Sequence, residues 1–152
     1  MSAVERFPSL EARDLEYEAR RVPDDLEGEP RVLLVAFDRF HQSAVDAWVE
    51  VLERDGLPRA PGMRVYEIPT IGTRWRWARG FIDGGMVAAI RDLAVRRRTL
   101  TIYTDVRRVL RGLGLPDASQ VCAVVLAPDG SVRAKAVGPP SPERVATILD
   151  AL

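Results

Sequence analysis

The residues best suited to chemistry follow the apolar run "RVLLVAF" at 31–37. Asp38, His41, Gln42 and Ser43 come where this run changes into an amphipathic pattern. A buried strand that leads directly into a helix presents free backbone amides and the positive end of the helix dipole, which favour an anion or an extended acidic ligand. His41 can donate a hydrogen bond to such a ligand. We therefore predict that these four residues form a binding site at the start of the helix.

The same residues have an ordinary structural interpretation. Asp38 and Ser43 are of the types that cap helices, and in that case His41 is a solvated loop residue. General-base catalysis by His41 needs a nucleophile and an orienting group, and Ser43 and Asp38 are too local in sequence to be taken as a triad. We therefore predict no catalytic residue in this turn.

Cys122 is the one cysteine of the chain and stands in the apolar run "VCAVVL". One cysteine excludes an intramolecular disulfide and suits a reducing compartment. The run predicts a buried strand in which Cys122 is a small hydrophobic side chain. The alternative is a reactive thiol that a helix dipole or His41 acidifies. With one cysteine and one histidine, the chain predicts no metal site.

A second candidate binding region is the segment "TRWRWARGF", which contains Arg74, Trp75, Arg76 and Trp77. Arginine and tryptophan are enriched at interface hot spots and also stack on nucleobases. In the structural alternative the tryptophans fold over the sheet edge and the arginines pair with acids. The 22 basic and 22 acidic residues cancel, so no overall field attracts nucleic acid. A protein or peptide is therefore the expected partner.

Alternating strands and helices must position these residues, and their order predicts one α/β domain over residues 1–152. Its first part, 1–30, is extended and hairpin-like, and 72–98 is an inserted helical segment. The predicted strands are a central strand at 31–37, strands at 63–71 and 100–105 in parallel pairs beside it, and a hairpin at 120–138. The predicted helices are one capped by Ser43 that ends at Gly56, one at 106–114 capped by Thr104 or Asp105, and a last one capped by Ser141. This order implies a mixed sheet with helices on both faces.

The order of elements resembles the thioredoxin-like superfamily, particularly its peroxiredoxin and thiol-reductase branch. "FPSLEARDL" and "VPDDLEGEPRVLLVAF" are similar to the opening of that branch, and "TDVRRVLRGLGLPDASQVCAVVLAPDGSVRAKAVGPPSPERVATILDAL" to its ending. The middle, from "VYEIPTI" to "LTIYTD", resembles redox-inactive relatives in the mitochondrial ATP-synthase assembly factor family and its bacterial relatives. Where the superfamily has Cys-x-x-Cys, this chain has His41 and Ala44, and where it has a cis-proline, the chain has Val121 or Cys122.

The resemblance implies a domain that has lost dithiol exchange and acts by protein binding, as an assembly or chaperone-like factor. It also implies that Cys122 lies near the start of the first helix. The alternative function is therefore a peroxidase or thiol-transfer enzyme that uses Cys122, with His41 beside it. We expect no cofactor. No stretch approaches the ~20 apolar residues of a membrane span, and the start of the chain is not of the signal-peptide type, so we expect a cytoplasmic protein.

Overall fold

A computed structural model describes residues 5–14, 18–71, 99–103 and 106–152. The predicted insertion at 72–98 lies outside these residues, and with it the predicted binding residues Arg74, Trp75, Arg76 and Trp77. The predicted helix caps Thr104 and Asp105 also lie outside them. No helix in the described part of the chain is long and apolar enough to span a bilayer.

Seven strands in the described part of the chain form one mixed sheet in the order β2-β1-β5-β4-β3-β6-β7. Their bounds are Leu10–Asp14 (β1), Ala19–Val22 (β2), Arg31–Ala36 (β3), Arg64–Ile71 (β4), Leu100–Tyr103 (β5), Cys122–Leu126 (β6) and Val132–Val137 (β7). β3 pairs in parallel with β4, and β4 with β5, while the antiparallel β6–β7 hairpin joins the other side of β3. The predicted parallel pairs and the antiparallel hairpin at one side of β3 are confirmed. The strand at 100–103 differs from the prediction in its neighbour, because it lies beside β4 and not beside β3.

β3 lies in the interior of the sheet between β4 and β6, as its continuous apolar sequence predicts. Val32, Leu33, Leu34 and Val35 are fully buried. Leu33 and Val35 belong to the apolar cluster on one face of the sheet, and Val32 and Leu34 to the cluster on the other face. Both faces of such a strand are buried, so its apolar residues do not alternate with polar ones as they do in a surface strand.

Helices cover both faces of this sheet, also as predicted. Within the residues that the structure describes, these helices are α1 (Gln42–Val51), α2 (Val106–Leu113) and α3 (Pro142–Leu149). The apolar stripe of α1 buries Val45 and Trp48 in the same cluster as Ile148 of α3. On the opposite face, α2 buries Val109 and Leu113. A π-helical turn, Leu52–Gly56, extends α1 to the glycine where the sequence predicts that the helix ends.

The start of α1 differs from the prediction. A 3-10 turn, Arg39–His41, stands between β3 and α1, so that His41 occupies the cap position and no side chain caps the helix. Ser43 lies inside the first turn, and the prediction that it is the cap is wrong. Asp38 does stabilise the turn, because its Oδ1 accepts the Phe40 N–H at 2.8 Å and its carbonyl accepts the His41 N–H at 3.0 Å. The extra turn shifts the helix start by two residues from the predicted cap.

The two serines predicted as caps should therefore respond differently to mutation. Ser141 lies at an extended position before Pro142, and its Oγ accepts the Arg144 N–H at 3.2 Å. Ser141→Ala should lower the free energy of unfolding by about 0.5–2 kcal/mol. Ser43→Ala should change it by less than about 0.5 kcal/mol. Urea denaturation of both variants checks this, and an equal loss in both would restore Ser43 as a cap.

Candidate functional site

The turn between β3 and α1 brings the four predicted residues Asp38, His41, Gln42 and Ser43 together at the carboxyl end of the central strand. The loop before β6 reaches the same place, because the His41 ring contacts the carbonyl of Ser119. This is the position that carries the reactive cysteines in the superfamily the chain resembles. The geometry of each side chain decides what the turn can do.

His41 joins two loops through both of its ring nitrogens. The Phe37 N–H donates to Nδ1 at 3.0 Å, so the neutral ring carries its proton on Nε2 and donates it to the Ser119 carbonyl at 3.2 Å. The Phe37 ring also meets the imidazole edge-on, with the ring centroids 6.4 Å apart. His41 is therefore not the solvated loop residue of the structural interpretation. Its ring holds the turn in place.

His41→Ala should lower the free energy of unfolding by about 1–3 kcal/mol, because the half-buried Phe37 N–H loses its acceptor and the Ser119 carbonyl its donor. His41→Asn places an acceptor near the position of Nδ1 and should recover part of that loss. Chemical denaturation of the two variants beside the unmodified protein measures both effects. Unchanged stability in His41→Ala would mean that the ring does not join the loops in solution.

Phe40 is the most exposed large apolar residue in the described part of the chain, with 76% of its surface accessible. It lies at the tip of the 3-10 turn, where its backbone N–H is held by Asp38. Phe40 was not among the binding residues predicted from the sequence. The available signal was an aromatic residue among the polar residues of "DRFHQS", between a strand and a helix. Phe40 presents an aromatic surface at the candidate site.

Glu67 is a second residue of this region that was not predicted from the sequence. It lies in the middle of β4, opposite Leu34 of β3, and is only 6% exposed. Gln42 Nε2 donates to Glu67 Oε1 at 3.3 Å and to Asp46 Oδ1 at 2.9 Å, and Thr99 Oγ1 donates to Glu67 Oε2 at 3.5 Å. Gln42 thus connects α1 to a buried carboxylate. The sequence feature that could have indicated Glu67 is an acidic residue inside the otherwise apolar predicted strand "MRVYEIPTI".

Cys122 begins β6, opposite Val35, and is 0% exposed. Its side chain packs in the apolar cluster that contains Val35 and α2, whereas its neighbours Val121 and Ala123 belong to the cluster that contains α1. Because successive strand residues point to opposite faces, the thiol points away from the start of α1. The expectation that Cys122 faces that helix start is therefore wrong.

The environment of Cys122 disfavours its thiolate. Burial raises the pKa of the thiol from 9.0 to about 12, against a smaller lowering effect of the Lys135 charge. The thiolate is the nucleophile in thiol chemistry, so this site is unsuited to it at neutral pH. Among the described residues, no group of three or more His, Cys, Asp or Glu side chains is arranged to hold a metal ion.

No protein-family model and no curated protein matches the chain. Solved structures do. The exposed lipoprotein thioredoxin Etrx1 of Streptococcus pneumoniae strain TIGR4 superposes with a TM-score of 0.60 at 9% identity, over 95% of this chain and 100% of that one. For BsSco, a member of the Sco family of cytochrome c oxidase assembly proteins, the TM-score is 0.63 at 12% identity, over 97% and 92%. For Mycobacterium tuberculosis AhpC the TM-score is 0.56 at 16% identity, over 99% of this chain and 92% of that one.

At these identities the similarity concerns the fold, and it agrees with the sheet order and the helices described above. The segment from 120 to 138 forms the terminal hairpin, and α3 closes the chain, as the resemblance implied. One cysteine in the whole sequence leaves no second thiol for a redox pair. The chain therefore has a thioredoxin-like fold that lacks the Cys-x-x-Cys motif.

Proposed function

We propose that this chain acts by binding a protein or peptide at the start of α1, without dithiol exchange. The observation that carries the proposal is the exposed Phe40 ring on a turn whose backbone is held by hydrogen bonds. An aromatic side chain in water is a favourable anchor, because it buries a large apolar surface at a small cost in conformational entropy.

The turn that carries Phe40 is ordered without a ligand. Asp38 holds the Phe40 amide, and His41 joins the Phe37 amide to the Ser119 carbonyl. A partner that docks here does not have to order the backbone, and a preorganised surface binds more tightly than a mobile one of equal area. In this proposal Asp38, Gln42 and Ser43 supply polar contacts around Phe40, and His41 maintains the shape of the turn.

The alternative function, a peroxidase or thiol-transfer enzyme based on Cys122, has less support. It needs a reachable thiolate beside His41, whereas Cys122 is fully buried on the opposite face of the sheet and its pKa is raised. A substrate would have to displace the apolar layer that covers this face of the sheet to reach the sulfur atom. Binding needs no such rearrangement.

An assembly or chaperone-like role is the form of binding that we propose. BsSco, which shares the fold, is described as a member of a family of cytochrome c oxidase assembly proteins. The resemblance of the middle segment to the ATP-synthase assembly factor family points in the same direction. The same proposal includes a cytoplasmic location and function without a cofactor or metal. It also includes contacts to the partner from the second candidate binding region, Arg74, Trp75, Arg76 and Trp77.

The test compares two exposed apolar residues. A partner is first isolated by crosslinking in the source cells and purified, and its affinity is then measured for the unmodified chain, Phe40→Ala and Leu57→Ala. Leu57 is 38% exposed and follows the far end of the α1 region, so it is the matched control. Phe40→Ala should weaken binding by about 5- to 30-fold, as loss of an interface anchor does, and Leu57→Ala should leave it unchanged.

Two results would contradict the proposal. One is equal affinity of Phe40→Ala and the unmodified chain for a partner that binds specifically. The other is reduction of a disulfide or a peroxide by the purified protein that is lost in Cys122→Ala. The second result would establish the thiol enzyme instead.

A further inference from the structure

A cleft of about 310 Å³ lies at the amino end of β3, at the opposite end of that strand from the β3–α1 turn. The loop after β2 and the turn between β6 and β7 form its walls, and its charged lining residues are Asp24, Glu29, Arg31 and Arg133. Its volume is at the lower end of the range for small-molecule sites.

Arg31 is the buried charge of this cleft, with 8% of its surface exposed. Its Nη1 donates to the Pro23 carbonyl at 2.8 Å, and its Nη2 donates to the carbonyls of Ala127 and Pro128 at 3.0 and 3.3 Å. These bonds hold the guanidinium between the two walls. A guanidinium has five N–H groups, so two are left without an acceptor among the described residues.

No carboxylate in the described part of the chain is paired directly with Arg31. Within the described residues Arg31 forms no ion pair, and its three acceptors are neutral carbonyl groups. Its register partner on β4 is Arg64, which brings a second positive charge to the adjacent position. Burial of a cation is costly without a counter-charge, and arginine prefers oxyanions as partners.

The rim of the cleft carries the opposite charge. Asp24 and Glu29 line it with exposed carboxylates, and the Glu29 side chain has no hydrogen bond or ion pair to the described residues. A simple anion would meet these carboxylates, whereas a cationic group beside the anion would pair with them. The lining thus matches a molecule that bears both charges.

Gly28 keeps the loop of the cleft against β4. Its φ of +124° is a conformation that favours glycine, and a Cβ there would lie 2.6 Å from the Cβ and Cγ of Arg64. The loop therefore packs directly on the stem of Arg64. The shape of the cleft depends on this close approach.

We propose that this cleft binds a small zwitterion, whose oxyanion pairs with Arg31 and whose ammonium group pairs with the rim carboxylates Asp24 and Glu29. Free amino acids and short peptides are the chemical class that fits. The site is separate from the partner surface around Phe40, and the proposal is independent of the function proposed above.

The test uses three probes at constant ionic strength. Alanine carries both charges, propionate carries only the negative charge, and ethylammonium carries only the positive charge. Backbone amide NMR shifts of Gly28, Arg31 and Ala127 report on the cleft, and those of His41 report on the other end of β3. Alanine should give saturable shifts at the cleft with a Kd of about millimolar, propionate should bind about tenfold more weakly, and ethylammonium should give none. The His41 amide should not move.

Two variants assign the charges. Arg31→Gln should weaken alanine binding by about tenfold or more, provided that its NMR spectrum is that of a folded protein. If Arg31→Gln does not fold, Glu29→Gln decides. It leaves the buried arginine in place and removes one of the two rim carboxylates, so it should narrow the difference in affinity between alanine and propionate. An unchanged difference would contradict the role of Glu29. Binding of propionate as tightly as alanine to the unmodified chain would overturn the zwitterion. No saturable shift with any probe at up to about 50 mM would show that Arg31 only joins the two loops.

Discussion

Replacement of Trp48 by alanine should lower the free energy of unfolding by about 3–5 kcal/mol, which is the largest stability effect that we expect from one substitution. Trp48 is 0% exposed and fills the apolar layer between α1, the sheet and α3. Its Nε1 donates to the Gly138 carbonyl at 2.9 Å, so the indole also fixes the segment between β7 and α3. Alanine leaves a cavity and an unsatisfied carbonyl together.

Two further variants separate these contributions. Trp48→Phe retains most of the apolar volume but not the N–H group, and should cost about 1–3 kcal/mol, because a buried acceptor loses its donor. Val49→Ala, on the same helix but only partly buried, should cost less than Trp48→Ala. Urea denaturation with a common m-value measures all three. A loss below about 1 kcal/mol in Trp48→Ala would mean that the helix face is assigned wrongly.

Native Cys122 should react with an aromatic disulfide reagent at neutral pH about a thousandfold more slowly than the same thiol in the unfolded chain. The rise of its pKa from 9.0 to about 12 lowers the thiolate fraction by that factor, and burial blocks access in addition. Reaction rates in buffer and in concentrated urea provide the comparison. Rapid reaction in buffer below pH 7 would instead support a thiol enzyme.

The same shift predicts how stability changes in alkali. In the unfolded chain the thiol ionises near its ordinary pKa of 9.0, whereas in the folded protein it keeps its proton up to about 12. The folded state therefore binds more protons in this interval, so the contribution of this thiol to stability is constant below about pH 9 and is lost as pH rises toward 12. Burial also raises the pKa of Tyr66, which contributes in the same direction. Cys122→Ala should show a smaller decline than the unmodified chain, and an identical decline would contradict the assignment.

The elements of the fold were predictable because their signals are local. The unbroken apolar run of β3 requires burial on both faces, and the spacing of Val45 and Trp48 marks one face of α1, so their positions follow from periodicity alone. The cap of α3 was predictable for the same reason, since Ser141 and Pro142 act on backbone groups within three residues. The prediction that Ser43 caps α1 failed because a 3-10 turn, which has no comparable sequence signature, precedes the helix.

The candidate site depends on contacts between residues that are distant in sequence. Such contacts could not be predicted from local sequence patterns. Asp38, His41, Gln42 and Ser43 could be selected as neighbours in sequence. The bond from His41 to Ser119, however, joins residues 78 positions apart, and the bond from Gln42 of α1 to Glu67 of β4 joins residues 25 positions apart. The direction of Cys122 depends on strand register, in which a shift of one residue reverses the face of every side chain. Local patterns were therefore enough to predict the strands and helices of the described residues, and the count of cysteines excludes a dithiol. Which polar groups meet and which way the thiol points follow from the tertiary structure, because both depend on how distant strands align.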